Sequence, residues 1–300
     1  MVMITDVPHF SVIVPTYNRP DSLTQCLYSL AGQDYAQDRL EVIVVVDGSR
    51  TPVESISVPF QNRIEIHLIR SSRKGAASAR NTGAEQARGE FLAFTDDDCS
   101  PHSSWLGKLA ECCGRHPGSA VTGKTLNLLK NNAYASAAQL LIDYLYAHYN
   151  SSPQHARFLT SNNFAVPASA FRELGGFSPA FASAGGEDRE FCDRWLSRNF
   201  TLVYEPQAVV YHCHSMTLTG FIKQQFNYGR GAFRFNRLRY LRNGSRFSVE
   251  PLAFYVRMFK YPYLRQNPMK AHLYALLFAA SQGINFAGFA FENLCQAFQS

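Results

Sequence analysis

Within the first hundred residues short apolar runs alternate with helical patterns, and that alternation limits the fold more than any other feature. FSVIVP (10–15), EVIVVV (41–46), IEIHLI (64–69) and EFLAF (90–94) are short and rich in β-branched or aromatic residues. Each gives way to polar or turn residues, so each reads as a strand. Their continuous apolar character predicts strands covered on both faces, as in a parallel sheet. Between the first two, Leu23, Leu27 and Leu30 share one face of a helix from about Pro20 to Ala31, and Pro20 suits its first turn. A second helix is expected over 76–88, ending at Gly89. Such alternation predicts an α/β sandwich.

Further along, the pattern predicts helices over 103–115, 134–149 and 187–198, a short strand over 119–123, and strand pieces around Pro206 within 201–211. Beyond 217 the pattern is helical and basic. Residues 271–291 are mostly apolar, but Gln282, Asn285 and two glycines make them a poor membrane span, and a buried or interfacial helix is expected. These boundaries divide the chain into an α/β unit, 1–215, and a helical, basic and aromatic extension, 216–300, packing on that unit or on a membrane surface.

Hydrophobic residues make up 46% of the 300 and charged residues 17%, which excludes wholesale disorder. The net charge of +6 is unevenly placed. Residues 221–270 hold 11 Lys/Arg against Glu250 as their single acid, whereas the other 250 residues hold 18 Lys/Arg against 22 Asp/Glu. The basic segment reads equally as a solvated helical face and as a surface for phosphates or anionic lipid. No recognisable nucleic-acid motif accompanies the charge, so nucleic acid is not expected as a partner. Seven cysteines without a CxxC pair argue against a disulfide framework and for reduced thiols in a cytoplasmic setting. The first apolar run lacks the basic head and cleavage site of a signal peptide.

The strongest chemical signal is FTDDD, which places Asp96, Asp97 and Asp98 at the end of a predicted strand. Three adjacent carboxylates repel one another, and a bound Mg²⁺ or Mn²⁺ removes that cost. Open α/β sheets bind ligands beyond the carboxyl ends of their strands, where these acids are expected. Tyr17, Asn18 and Arg19 in VIVPTYNRP and Asp47 in VVDGS end two further strands. GAASARN sets Gly75 at a helix start with Arg80 and Asn81 inside the helix. A ring, hydrogen-bonding groups and a cation at one sheet edge suit a nucleoside diphosphate. Taken singly, each also suits a turn or a surface charge.

In GGEDRE, Glu187 and Asp188 follow the glycines Gly185 and Gly186. Acids in a helix's first turn serve capping as well as they serve proton abstraction from a substrate hydroxyl. Asn162 and Asn163 in TSNNFAV read either as ligand-binding groups or as strand-end turn residues. His212 and His214 in YHCHS point to one face if the strand continues through them. In QQFNYGRG, Gln225, Tyr228 and Arg230 can reach a diphosphate or an acceptor, or simply form one face of a basic helix.

VIVPTYNRP, VVDGS, GAASARN, FTDDD, LGGF (174–177) and GGED, in this order, resemble the inverting family 2 glycosyltransferases with a GT-A fold, over roughly residues 10–235. The resemblance implies a mostly parallel, Rossmann-like sheet flanked by helices with a helical C-terminal extension. It also implies a nucleotide-diphosphate sugar donor, a divalent metal, and a glycan or lipid-linked saccharide as acceptor. By the same resemblance Pro15 and the residues after it line the donor site, Asp47 contacts the base, Asp96 or Asp97 the ribose, and Asp98 the metal, with Asp96 as a further ligand. His212, favoured over His214, completes the metal site. Asp188 is the general base, Glu187 an acceptor-hydroxyl ligand, and Gly176 belongs to the acceptor-side loop. An acidic middle residue, Asp97, departs from the usual DxD pattern, and QQFNYGRG lacks the tryptophan of a QxxRW motif. A place on the cytoplasmic face of a membrane is expected.

Two other classes fit parts of the pattern. A sugar-1-phosphate nucleotidyltransferase would want a Gly-rich basic loop where this chain has PTYNRP. A catalytically silent binding protein would be expected to have lost the base or the metal acids. Kinase-type chemistry lacks its phosphate loop.

Overall fold

The structure, a computed structural model, describes residues 9–49, 54–60, 62–72, 74–181, 185–245, 247 and 249–297. The segment on which the signal-peptide reading bears, 1–8, lies outside the described residues. The strands are β1 (Phe10–Thr16), β2 (Leu40–Asp47), β3 (Glu65–Ser71), β4 (Phe91–Phe94), β5 (Cys99–Pro101), β6 (Ala120–Asn127), β7 (Phe164–Pro167) and β8 (Leu202–His212). The helices are α1 (Pro20–Ala31), α2 (Glu54–Ser57), α3 (Ala76–Gln86), α4 (Trp105–Arg115), α5 (Ala133–Tyr149), α6 (Ala168–Leu174), α7 (Glu187–Ser197), α8 (Leu218–Asn243), α9 (Leu252–Arg265) and α10 (Pro268–Ala297).

All residues of β1 and β2 are buried, as their unbroken apolar sequences predict. Alternate side chains serve opposite layers. Val12, Val14, Val42 and Val44 pack with Leu23 and Leu27 of α1 and with Trp105 and Leu109 of α4. Ile13, Ile43 and Val45 pack with Ala77 and Ala84 of α3, Phe171 of α6 and Phe191 of α7. Each such side chain contributes about 1.5–3 kcal/mol by leaving water. The period of two therefore makes a three-layer α/β sandwich from strands that look uniformly apolar.

The sheet order is β3-β2-β1-β4-β7-β6-β8-β5. It is mixed: β7 runs antiparallel to β4 and β6, and β5 antiparallel to β8, while the other pairings are parallel. β5 and β7 are three and four residues long, too short to carry a periodic signal. The expected strand over 119–123 runs on to Asn127. β8 is one strand rather than pieces, with a register shift against β6 between Thr122 and Lys124. Pro206 is tolerated because β5 pairs with β8 only at 210–212. Reversal of β7 brings its start, Phe164, opposite the end of β4, Phe94. The ends of β1, β2 and β4, the start of β7 and the ends of β6 and β8 thus share one edge of the sheet.

The C-terminal helices share a third apolar core with α5. Phe221, Phe254, Met258, Tyr274 and Phe278 pack with Ala137, Leu140 and Tyr144 of α5. Part of the basic surplus is neutralised internally. Arg230 and Arg234 hold the buried Glu292 of α10 at 2.7 and 2.8 Å, and Arg242 pairs with Glu190 and Asp193 of α7.

Candidate active site

The loop after β1 turns at Asn18, whose φ of 52° is tolerated by asparagine and whose N–H donates to Ser49 Oγ at 2.8 Å. The turn sends Arg19 across the aspartate triplet, with Nη1 3.3 Å from Asp97 and 2.8 Å from Asp98. Asp97 lies deepest, and also accepts from Thr16 Oγ1 at 2.7 Å. Burial pushes its carboxyl up to about 6, against the pull of Arg19 and Thr16. Tyr17 is half-buried on the same loop, and Pro15 lies inside β1, paired with Val45 of β2.

Asp98 faces two histidines. His212 Nε2 stands 3.2 Å from one carboxylate oxygen and His214 Nδ1 3.0 Å from the other. Burial disfavours the Asp98 anion, but hydrogen bonds from His212 and His214 outweigh it and hold the carboxyl well below the usual range. Burial likewise pulls His212 down, and its bond to Asp98 more than reverses that, leaving it above its ordinary value. The ligand atoms of Asp98, His212 and His214 lie within 4.8 Å of one another. One carboxylate and two imidazoles on a partly buried edge fit a divalent cation, and the nitrogen donors suit a transition ion such as Mn²⁺ better than Mg²⁺. Asp96, expected as a metal ligand, instead accepts from Arg80 Nη2 at 2.7 Å.

Arg80 is the centre of the second half of the site. It is 3% exposed, and its Nη1 stands 3.7 Å from Glu187. Among the described residues its Nε and Nη1 have no hydrogen-bond partner, nor has Asp188 Oδ1. Gly185 and Gly186, with φ of 126° and 93°, shape the loop before α7 so that the Gly185 N–H donates to Glu187 at 2.8 Å. Asp188 is pushed up to about 7, first by burial and then by the neighbouring Glu187 charge, with Arg80 and Ser161 opposing. Tyr228 of α8 lies over this loop, against Gly185. Burial and the charges of Glu187 and Asp188 raise its hydroxyl.

Other expected site residues are engaged by neighbouring groups of the protein. Asp47 accepts from the N–H groups of Lys74 and Gly75, both at 2.9 Å, and so pins the start of α3, where Gly75 has φ 91°. Asn81 binds both polar backbone groups of Phe177 at 2.8 Å, and any side chain on Gly176 would strike it. Asn162 accepts from Thr125 Oγ1 at 3.3 Å. Asn163 is fully buried, accepting from Trp105 Nε1 at 2.8 Å and donating to the Ala208 carbonyl at 3.0 Å. Arg230 turns toward Glu292, and buried Gln225 accepts from Asn285, both on α10. Thr16 and Ser161, which contact Asp97 and Asp188, carry no sequence signal of their own beyond flanking Tyr17 and Asn162. The strand period of two was the signal for His214.

The family model described as Glycosyl transferase family 2 matches residues 11–175, and that of Glycosyl transferase family group 2 matches residues 94–290. The chain is 28% identical to Glycosyltransferase AglE of Haloferax volcanii over 239 residues, 76% of this chain and 74% of that protein. It is 31% identical to the Pre-mycofactocin glycosyltransferase of Mycobacterium tuberculosis over 227 residues, covering 74% of this chain but 46% of that protein. Among solved structures, the mannosyltransferase PcManGT of Pyrobaculum calidifontis, in complex with GDP-Man and Mn²⁺, superposes with a TM-score of 0.63 at 19% identity, covering 98% of this chain and 81% of that one. S. aureus TarS 1–349 in complex with UDP-GlcNAc gives a TM-score of 0.57 at 18% identity, covering 96% and 92%. The profile spans the loops that build the aspartate edge, and the fold agrees with it: this chain is a glycosyltransferase of family 2, with the GT-A fold.

Proposed function

We propose that the protein is an inverting transferase that moves a sugar from a nucleotide-diphosphate sugar to a hydroxyl of a glycan or lipid-linked saccharide at the cytoplasmic face of a membrane. The observation that carries the proposal is the buried Arg80, which ties the aspartate edge to the Glu187–Asp188 pair. Complexes of structural neighbours with GDP-Man and Mn²⁺ and with UDP-GlcNAc support the donor class. Residues 1–215 then hold donor and acceptor, and 216–300 form the extension.

Asp98, His212 and His214 would hold a divalent cation, which supplies Lewis-acid neutralisation of the donor diphosphate. Arg19 adds positive charge beside it. Tyr17 offers a ring for the nucleoside, and Asp96 the oxygens for ribose. Asp188, ionised near neutral pH, takes the proton of the acceptor hydroxyl as that oxygen attacks the anomeric carbon. Attack comes from the face opposite the nucleotide, the bond to the diphosphate breaks, and the nucleoside diphosphate leaves. Glu187 orients the acceptor hydroxyl.

Titrating UDP-, GDP- and dTDP-sugars with and without Mn²⁺ tests the proposal. One donor class is expected to bind in a metal-dependent way, and to lose that dependence in Asp98→Ala. Absence of metal-dependent binding for every donor would overturn it.

A further inference from the structure

α10 has two unlike sides. Its inner side, with Ala271, Tyr274, Phe278, Ser281, Gly288 and Glu292, is buried against the protein. Its outer side carries Met269, Leu273, Leu276, Phe286 and Leu294, all exposed, Met269 by 85% and Leu276 by 70%. Between Lys270 and Ala297 the only charged residue of α10 is Glu292, and it faces inward. The outer stripe from Met269 to Leu294 is therefore mostly apolar, interrupted by exposed Lys270, His272 and Asn293, and runs for about 38 Å at 1.5 Å per residue. A stripe of that size on a monomer marks an interaction surface.

The same helix is fastened sideways to the protein. Glu292 is gripped by Arg230 and Arg234 of α8. Gly229 faces the Asn285 carbonyl and Gly288 the Phe226 carbonyl so closely that a methyl group on either glycine would overlap it. Withdrawing α10 to cross a bilayer would strand a buried carboxylate and two guanidinium groups. By length and composition α10 is apolar enough to span, but these contacts hold it along the surface.

Cations border the stripe. At the corner between α9 and α10, Leu264 and Met269 project outward beside exposed Arg265 and Lys270. Lys260 is exposed on α9, and the Tyr263 ring of α9 meets His272 of α10 edge-on at 5.2 Å, joining the two exposed sides. Apolar side chains rimmed by Lys and Arg match an anionic lipid–water interface. In a pair of copies joined across this face, the same cations would confront one another.

We propose that the outer face of α10, together with the α9–α10 corner, seats the enzyme on an anionic phospholipid bilayer, with α10 lying in the plane of the interface. The seat is wired to the chemistry by α8. On one side α8 meshes with α10 through Gly229, and on the other Gly231 abuts the Gly185 carbonyl in the loop before Asp188. Seating α10 thereby sets the base at a fixed height above the lipid. This last step rests on the proposed transferase reading, since it concerns an acceptor carried by lipid. Binding to the bilayer does not.

The test is co-flotation of the full chain with vesicles of phosphatidylcholine alone and with phosphatidylglycerol added, at low and high salt. Binding is expected to rise about tenfold or more with the anionic lipid and to fall with salt. The double variants Leu276→Asp/Phe286→Asp and Lys260→Glu/Lys270→Glu are each expected to lose about tenfold or more, with unchanged melting temperature and unchanged metal-dependent donor binding. Equal binding to both vesicle types, no binding, or variants that float as well as wild type would overturn the seat. So would a wild-type dimer that Leu276→Asp/Phe286→Asp turns into a monomer, because the stripe would then join two copies. Loss of donor binding in the wild-type protein, with flotation intact, would instead count against the transferase reading.

Discussion

Arg80 Nη2 donates to Asp96 at 2.7 Å, and the guanidinium that does so is buried. Its other terminal nitrogen faces Glu187 at 3.7 Å. One cation therefore balances acids from two distant parts of the chain, at the end of β4 and the start of α7. Removing it by Arg80→Met leaves those acids uncompensated and is expected to cost about 3–5 kcal/mol of stability in urea unfolding. Arg80→Lys keeps the charge without the planar fork. It is expected to fold, and to move the pH midpoint of turnover upward because the shorter side chain holds the same charge farther from Asp188.

Asp188 is raised to about 7, so at acid pH it holds a proton and cannot accept another. kcat/KM is expected to rise with pH through about 7 and level off above it. A profile flat from pH 5 to pH 8 would remove Asp188 as base. The native state binds this proton more tightly than the unfolded chain does. The contribution of Asp188 to stability is therefore complete below the unfolded value of about 4 and is lost as pH rises through about 7.

Asp188→Asn keeps the size and removes the base. Turnover is expected to fall by a factor of about 10² to 10⁴, while donor affinity measured by calorimetry stays within about twofold. Near-normal turnover in this variant would assign proton removal elsewhere.

His212 and His214 contact opposite oxygens of Asp98, which predicts that both support the cation. His212→Ala and His214→Ala are each expected to weaken Mn²⁺-dependent donor binding by about tenfold or more, and Asp98→Ala to abolish the metal dependence. A silent His214→Ala would reduce the set to Asp98 and His212.

At the far edge of the sheet, buried Glu41 accepts from Ser11 Oγ at 2.6 Å and from the Arg88 N–H at 2.8 Å. Burial opposes its charge, but the bonds from Ser11 and Arg88 outweigh that and lower its carboxyl. Glu41→Gln turns one acceptor oxygen into a donor among donors and is expected to cost about 1–3 kcal/mol in thermal or urea unfolding, with donor binding unchanged. The wild-type contribution is present above the unfolded value and is lost as pH falls through the lowered one.

Much of the site was legible because it is built from ends of strands. A run such as VIVVV declares a buried parallel strand, and such strands leave their polar residues at one edge. That reasoning sets Asp47, Asp96 and Asp98 at strand ends along one edge of the sheet, with Arg80 in the helix that follows β3. It could not place Asn163, whose amide is consumed by Trp105 and Ala208, or Arg230, whose charge is taken by Glu292. Those partners lie between 45 and 62 residues away, and sequence patterns report only on neighbours within a few turns.

The sequence by itself determined the strand and helix periods, the faces they bury, and the carboxylate and histidine chemistry available at the sheet edge. The reversed strand β7, the meeting of both histidines on one aspartate, the burial of Arg80 between two acidic groups and the apolar outer side of α10 were decided only by tertiary structure. Local periodicity follows from backbone geometry that every residue carries with it. Which polar groups neutralise one another, and which apolar face is left uncovered, depends on chain segments that become neighbours only after folding.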